Sequence, residues 1–244
     1  MAKQPVVIGL IPARGGSKRI PHKNVKEFCG KPLIAWTIEE AKKSKYISRV
    51  IVSTDDPEIV EVAKRYGAEA PFMRPKEISA DLTPDLPVFE HLLEWLKVNE
   101  GSVPDIIAHL RVTGPMRTKA DMDKGISLLV ERSEYDSVRA AIPAPLHPLK
   151  TYRLDGDTLL PFVPDGVSGL SEPFNLPVQA LPKAYAAVGY FSAIRSKTIL
   201  DQHSMTGKKI LGYAVDAKNA TDIDTPVDFL VAELRMKERL ASQK

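Results

Sequence analysis

The sequence predicts an α/β fold, a mainly parallel sheet flanked by helices and interrupted by a β-rich insertion. Three observations carry this. Strand-like runs at residues 6–11, 49–53, 105–110 and 136–142 alternate with helix-like segments, the rhythm of parallel strands joined by crossover helices. Residues 143–182 then hold eight of the 20 prolines and no helical period, which breaks the alternation. The pattern resumes at 186–194 and 209–215 and closes on a helix.

The elements follow in order. After the first strand, Ile34, Ile38 and Ala41 recur at i, i+4 and i+7, one apolar helix face. A second helix opens on Asp56-Pro57 and stops at Gly67, and a third spans 87–98 with Val88, Leu92 and Leu96 inward. The fourth starts at Thr118-Lys119-Ala120-Asp121, a capping-box pattern. In the insertion, Tyr152, Leu159, Leu160, Phe162 and Phe174 exceed what a linker needs, so an arm packing on a second subunit is expected. The last helix begins at Thr225-Pro226-Val227-Asp228, with cap, first-turn proline and acidic third residue. Residues 1–142 and 183–244 therefore form one domain, and 143–182 an inserted dimerisation arm.

Composition sets the outer bounds. A chain of 244 residues with 43% apolar and 27% charged residues is an ordinary globular protein rather than a disordered or fibrous one. Its net charge of +3, with both signs mixed, implies no nucleic-acid face. The single Cys29 excludes an internal disulfide and a structural zinc site and suits a reducing compartment. No apolar run approaches the roughly 20 residues of a membrane span. A cytoplasmic protein without a membrane or nucleic-acid partner is the expectation.

Two segments are suited to chemistry. The loop Pro12-Ala13-Arg14-Gly15-Gly16-Ser17-Lys18-Arg19 leaves the first strand with two glycines and three cations. Glycines let backbone N–H groups approach an anion, and Arg14 and Lys18 can neutralise a polyphosphate. Neither the P-loop nor the dinucleotide-fold glycine spacing is present, so a βα turn with solvated cations is an equally open reading. The second segment is Asp222-Ile223-Asp224-Thr225. In an extended chain its two aspartates share a face and can hold one hard cation such as Mg²⁺, the alternative being one capping and one exposed aspartate. His91 and Trp95, one helical turn apart, read as packing. His109 reads as a satisfied core histidine, Cys29 as a small buried residue, and 42–45 as the cationic end of a helix.

Together, Ala13-Arg14-Gly15-Gly16-Ser17-Lys18, Lys23-Asn24, Gly30-Lys31-Pro32-Leu33-Ile34-Ala35-Trp36-Thr37-Ile38, Val52-Ser53-Thr54-Asp55-Asp56, His147-Pro148-Leu149-Lys150 and Asp222-Ile223-Asp224-Thr225 resemble the acylneuraminate cytidylyltransferase (CMP-sialic acid synthetase) family nearly end to end. The resemblance implies a Rossmann-like fold and an enzyme joining a nucleoside monophosphate, from CTP, to a sugar acid with Mg²⁺ and release of pyrophosphate. It implies that Arg14 and Lys18 hold the phosphates, within a nucleotide site of Ala13, Gly15, Gly16, Ser17, Asn24, Arg74 and Asp85, and that Asp222 and Asp224 hold the metal. It implies an acceptor site of Arg111, Thr113 and Arg117, completed in a homodimer by Lys150 and Gln179 of the neighbouring arm.

The chain departs from that pattern at three places. The family's Leu-Gln-Pro-Thr-Ser-Pro-Leu-Arg becomes Leu110-Arg111-Val112-Thr113-Gly114-Pro115-Met116-Arg117, replacing the glutamine. The Arg-x-Asn-Gly-Ala-Ile-Tyr segment becomes Ala186-Ala187-Val188-Gly189-Tyr190-Phe191, without the arginine and asparagine expected on the sugar acid. The Asp-Thr-Ala-Ser-Ser segment becomes Asp81-Leu82-Thr83-Pro84-Asp85. A carboxylate at Asp85 could accept the two adjacent donors of guanine. Transfer to a sugar 1-phosphate, with GTP or another triphosphate, and a noncatalytic nucleotide-sugar-binding protein therefore stand beside the leading reading.

Overall fold

A computed structural model describes residues 4–164 and 166–242. The chain opens with β1 (Val7–Pro12), passes through a small hairpin of β2 (Glu27–Phe28) and β3 (Lys31–Pro32), and enters α1 (Leu33–Lys42). β4 (Ile47–Ser53) leads to α2 (Pro57–Arg65), whose N-cap Asp56 accepts from the Glu58 N–H at 2.8 Å. α3 (Asp85–Glu100) precedes β5 (Ile106–His109). α4 (Lys119–Glu131) is capped by Thr118, which accepts from the Asp121 N–H at 3.1 Å, and leads to β6 (Ser137–Pro143). The insertion contributes β7 (Tyr152–Asp155), β8 (Thr158–Pro161) and short 3₁₀ turns. β9 (Tyr185–Arg195), α5 (Ser196–Gln202), β10 (Ile210–Ala214) and α6 (Pro226–Ala241) complete the chain.

The six-stranded sheet has the order β10-β6-β9-β5-β1-β4. Every pairing is parallel except those of β9, which runs antiparallel to both β5 and β6. Apolar side chains on one face pack with α1, α2, α4 and α6, around Ile11, Ile38, Ile126 and Phe229. On the other face Leu10, Ile51, Ile107 and Ile194 meet Phe89, Leu92 and Leu96 of α3 and Ile199 of α5. This three-layer sandwich buries both sheet faces, which is why β1 and β5 read as nearly continuous apolar runs.

Two features of the sheet position the site. From β1 the chain goes outward to β4 and returns to β5 on the opposite side of β1, so connections leave the carboxyl ends of β1 and β5 in opposite directions and open a crevice there. β9 also carries a bulge. Arg139 pairs with Ser192 and Ala141 with Ala187, so residues 188–191 of β9 stand opposite Ala140 alone. Bulges of this kind re-aim side chains beside binding sites.

Some expectations are corrected. α3 begins at Asp85 rather than at Pro87, because the first turn of a helix has no intrahelical partners for its N–H groups and tolerates proline. The antiparallel direction of β9, the two-residue strands β2 and β3 and the short α5 were not foreseen; such lengths show too few residues for a period to emerge. The insertion is β-containing as expected, with β7 and β8 pairing as an isolated hairpin apart from the main sheet.

Candidate active site

The loop after β1 is anchored from below and open above. The Ala13 N–H donates to the Ser53 carbonyl at 2.9 Å, and the Gly15 N–H donates to Asp55 Oδ1 at 2.9 Å. A Cβ on Gly15 would come within 2.5 Å of Asp56 Oδ2 and 2.8 Å of Asp56 Cβ, whereas one on Gly16 would meet nothing within 4 Å. The first glycine therefore answers to close packing on the N-cap of α2, and the second faces open space. Asn24, nearly buried, donates through Nδ2 to the Arg14 carbonyl at 2.8 Å and fixes the loop from the other side.

Above this loop lies a cavity of about 370 Å³ lined by Pro12, Arg14, Ser17, Lys23, Asn24, Arg74, Asp81, Asp85, His109, Arg111, Thr113 and Asp224, among others. The guanidinium of Arg14 and the ammonium of Lys18 both pair with Asp81, and these cations hold the Asp81 carboxyl below its usual range. Asp81 thus gives the two cations an anionic partner from within the chain. Arg74 is buried, with Nε donating to Ser53 Oγ at 3.1 Å and Nη2 to the Ser53 carbonyl. Burial lowers its pKa, opposed by the nearby Asp55.

In the double-aspartate segment burial alternates residue by residue. Ile223 is buried between exposed Asp222 and Asp224, and its N–H donates to the Thr113 carbonyl at 3.0 Å. Asp222 and Asp224 are thus both left at the surface, on either side of the buried isoleucine. The next residue, Thr225, caps α6 in a reciprocal box with Asp228. Lys23 lies against this pair, donating through Nζ to the Ile223 carbonyl at 2.8 Å. Burial lowers its pKa, while Asp224 and Asp222 act to raise it.

Asp224 lines the first cavity, and Asp222 lines a second of about 300 Å³ on the β9 side. The second is formed by Asp85, His109, Arg111, Arg139, Ala187, Val188, Gly189, Phe191, Ser192, Met205 and Asp222. Asp85, His109 and Arg111 belong to both. A Cβ on Gly189 would lie 2.9 Å from Asp222 Oδ2 and 3.2 Å from Arg111 Cδ, so the absence of a side chain lets the aspartate and the arginine converge over β9. Among the described residues no group of three or more His, Cys, Asp or Glu stands ready to hold a metal ion. Asp222 and Asp224 are exposed hard-oxygen donors of the kind a divalent cation takes when waters and substrate phosphates complete its shell.

The structure gathers Arg14, Ser17, Asn24, Arg74, Asp85, Arg111, Thr113, Asp222 and Asp224 around this two-part cleft, with Gly15 and Gly16 in its loop and Lys18 on Asp81. Ala13 is buried beneath the loop rather than lining the cleft. Arg117 is also displaced from its expected place on the acceptor. It is almost wholly buried, donating through Nε to the Tyr190 carbonyl and through Nη2 to the Arg111 carbonyl at 2.9 Å, and burial pushes its pKa down to about 10. It pins the turn after β5 to β9. Lys150 and Gln179 sit in the insertion, outside both cavities, with Lys150 Nζ on the Phe174 carbonyl at 3.0 Å.

Asp85 pairs with Arg111, so the carboxylate that guanine would require is already engaged. His91 packs edge-on against Phe72, whose ring also meets Trp95. His109 is buried against Phe89, but its Nε2 has no partner, and its ring borders both cavities. Burial holds it well below its usual pKa, reinforced by Arg111, Arg117 and Arg139. Burial, followed by the Glu233 charge, raises the Cys29 thiol pKa, which suits an inert residue. Lys23, His109 and Arg139 were not singled out as site residues from the sequence. Lys23 stood within the quoted Lys23-Asn24 motif, His109 reads in the sequence as a satisfied core residue, which its unpartnered Nε2 contradicts, and nothing local marked Arg139.

A glycine-containing cationic loop at the crevice of a parallel sheet, facing two carboxylates across a bipartite cleft, defines a nucleotidyltransferase-type site. Residues 8–144 match the sequence profile described as Cytidylyltransferase. The chain is 31% identical over 229 residues to pseudaminic acid cytidylyltransferase of Campylobacter jejuni, covering 93% of this chain and 95% of that one. It is 30% identical to N-acylneuraminate cytidylyltransferase A of Danio rerio over 94% of this chain and 50% of that protein. The solved structure of CMP:2-keto-3-deoxy-manno-octonic acid synthetase complexed with CTP shares the fold, with a TM-score of 0.70 at 18% identity, covering 96% of this chain and 99% of that one. The chain belongs to the cytidylyltransferase family. Among the described residues no helix is long and apolar enough to cross a membrane.

Proposed function

We propose that the protein transfers CMP from CTP to the anomeric hydroxyl of a sialic-acid-like nine-carbon sugar acid, with Mg²⁺, releasing pyrophosphate. The observation that carries this is the meeting of two cavities at Asp85, His109 and Arg111, with Asp224 lining one and Asp222 the other. One cavity has the phosphate-binding loop; the other is of a size for a sugar. Arg14 and Lys18 exchange Asp81 for the triphosphate, Ser17 and the backbone of Gly15 and Gly16 cradle it, and Asn24 and Arg74 place the base side. Asp222 and Asp224 would hold Mg²⁺, which when bound polarises the α-phosphate. Lys23 neutralises charge beside them.

The acceptor enters from the β9 side, where Arg111 orients it, and Thr113 meets it from the adjoining cavity. Its hydroxyl oxygen attacks the α-phosphorus in line as the bond to pyrophosphate breaks, so rate comes from positioning and charge stabilisation without a covalent enzyme intermediate. The insertion acts as the arm of a homodimer. Leu154 (70% exposed), Leu159 (62%) and Phe162 (69%) leave apolar side chains exposed on and beside its hairpin, which a partner subunit would cover. Lys150 and Gln179 reach the neighbouring cleft from it.

The test is pyrophosphate release measured with CTP, GTP, ATP and UTP against sugar acids and sugar 1-phosphates. Turnover with CTP and a sugar acid above every other pair is expected. Preference for a sugar 1-phosphate, or no turnover with any pair, would refute the reading.

A further inference from the structure

The arginine and asparagine that the resemblance places on the sugar acid are missing from β9, yet the second cavity carries a cation from β6, Arg139. Arg139 sits in a cross-strand row, His109 of β5, Ser192 of β9, Arg139 of β6 and Gly212 of β10. Its neighbours along β6, Val138 and Ala140, are buried on the opposite sheet face, so Arg139 points to the α3 and α5 side. Ser192 and Gly212 flank it with little or no side chain, and the bulge at 188–191 opens the sheet beside it. The guanidinium is half-buried and borders the cavity. The ion pairs among the described residues engage Arg14, Arg19, Arg49 and Arg111 but not Arg139.

Arg139 is the cavity cation that no ion pair among the described residues engages. Arg111 enters from the loop after β5 and Arg139 from β6; Asp85 pairs with Arg111, Asp222 lines the same cavity, and burial disfavours a charge on His109. A planar guanidinium without a carboxylate partner, at the edge of a pocket next to the metal-type aspartates, matches a bidentate carboxylate. We propose that Arg139 is a specificity-determining residue that binds the carboxylate of the acceptor in the β9-side cavity, in place of the arginine absent from 186–191. This rests on the sugar-acid reading of the same site.

The experiment uses the full-length enzyme with saturating CTP and Mg²⁺, with pseudaminic acid, an N-acylneuraminate and 2-keto-3-deoxy-manno-octonic acid, each as the free acid and as the methyl ester. For wild type on its preferred free acid, Arg139→Gln should raise the acceptor KM by roughly 10- to 100-fold, the range for losing hydrogen bonds between charged groups, with the CTP KM and melting temperature unmoved. Arg139→Lys should recover part of the loss. On the methyl ester, wild type should already be impaired and Arg139→Gln should add little. An unchanged acceptor KM, or equal losses on acid and ester, would overturn the role of Arg139 while leaving the sugar-acid reading intact. Failure of wild type on all three free acids, with turnover of a sugar 1-phosphate, would overturn that reading and the proposal with it.

Discussion

The two adjacent glycines of the cationic loop should separate stability from function. In Gly15→Ala the new methyl would sit 2.5 Å from Asp56 Oδ2 and 2.8 Å from Asp56 Cβ. Rotating the carboxylate relieves the first contact but not the second, and it gives up the α2 cap in which Asp56 accepts from Glu58 N–H. Loss of a cap costs about 1 kcal/mol and crowding of a packed contact about 1–2 kcal/mol. At ~2–4 °C per kcal/mol for a domain of this size, the melting temperature should fall by about 4–12 °C. Gly16→Ala meets nothing within 4 Å, so its melting temperature should stay within about 1 °C of wild type. Its methyl instead stands in the space assigned to the triphosphate and should raise the CTP KM by about tenfold or more. Thermal scans without nucleotide, followed by CTP titration of initial rates, read both effects. Equal melting temperatures for the two variants would refute the packing argument, and an unchanged CTP KM in Gly16→Ala would remove the phosphate from that space.

Further outcomes follow from the same geometry. Asp222→Asn and Asp224→Asn should each lower turnover by at least about a hundredfold at saturating Mg²⁺ with the fold intact by circular dichroism; near-wild-type rates would take that residue out of the metal site. Asp81→Asn frees Arg14 and Lys18 from their internal partner, so calorimetry should show tighter CTP binding, and weaker binding would mean that Asp81 helps to build the site instead. Phe162→Glu, at a hairpin position 69% exposed, should yield monomers by sedimentation at micromolar protein with reduced activity. A fully active dimer would exclude that hairpin from the interface.

The order of strands and helices was legible because burial on both sheet faces writes itself into local pattern: Ile34, Ile38 and Ala41 on α1, the Thr118 cap of α4 and the Thr225-Pro226 start of α6 are short-range signals. The alternation of exposed Asp222, buried Ile223 and exposed Asp224 was equally local. Arg117 shows the limit. Its place in a motif suggested contact with an acceptor, but whether a guanidinium faces a cleft or two carbonyls depends on how β9 passes over the turn, which is a long-range matter. Arg139 shows the converse, for a charged residue between Val138 and Ala140 reads as a solvated strand position, and only the bulge in β9 and the small neighbours Ser192 and Gly212 make it a cavity wall. The sequence by itself determined the six strands of the main sheet and the helices other than α5, and marked the loop after β1 and the two aspartates as candidates, because each is set by contacts within a few residues. The tertiary structure alone decided that β9 runs antiparallel, that two cavities join at Asp85, His109 and Arg111, and which cations remain unpaired there, because those depend on chain segments brought together from 26 to 89 residues apart.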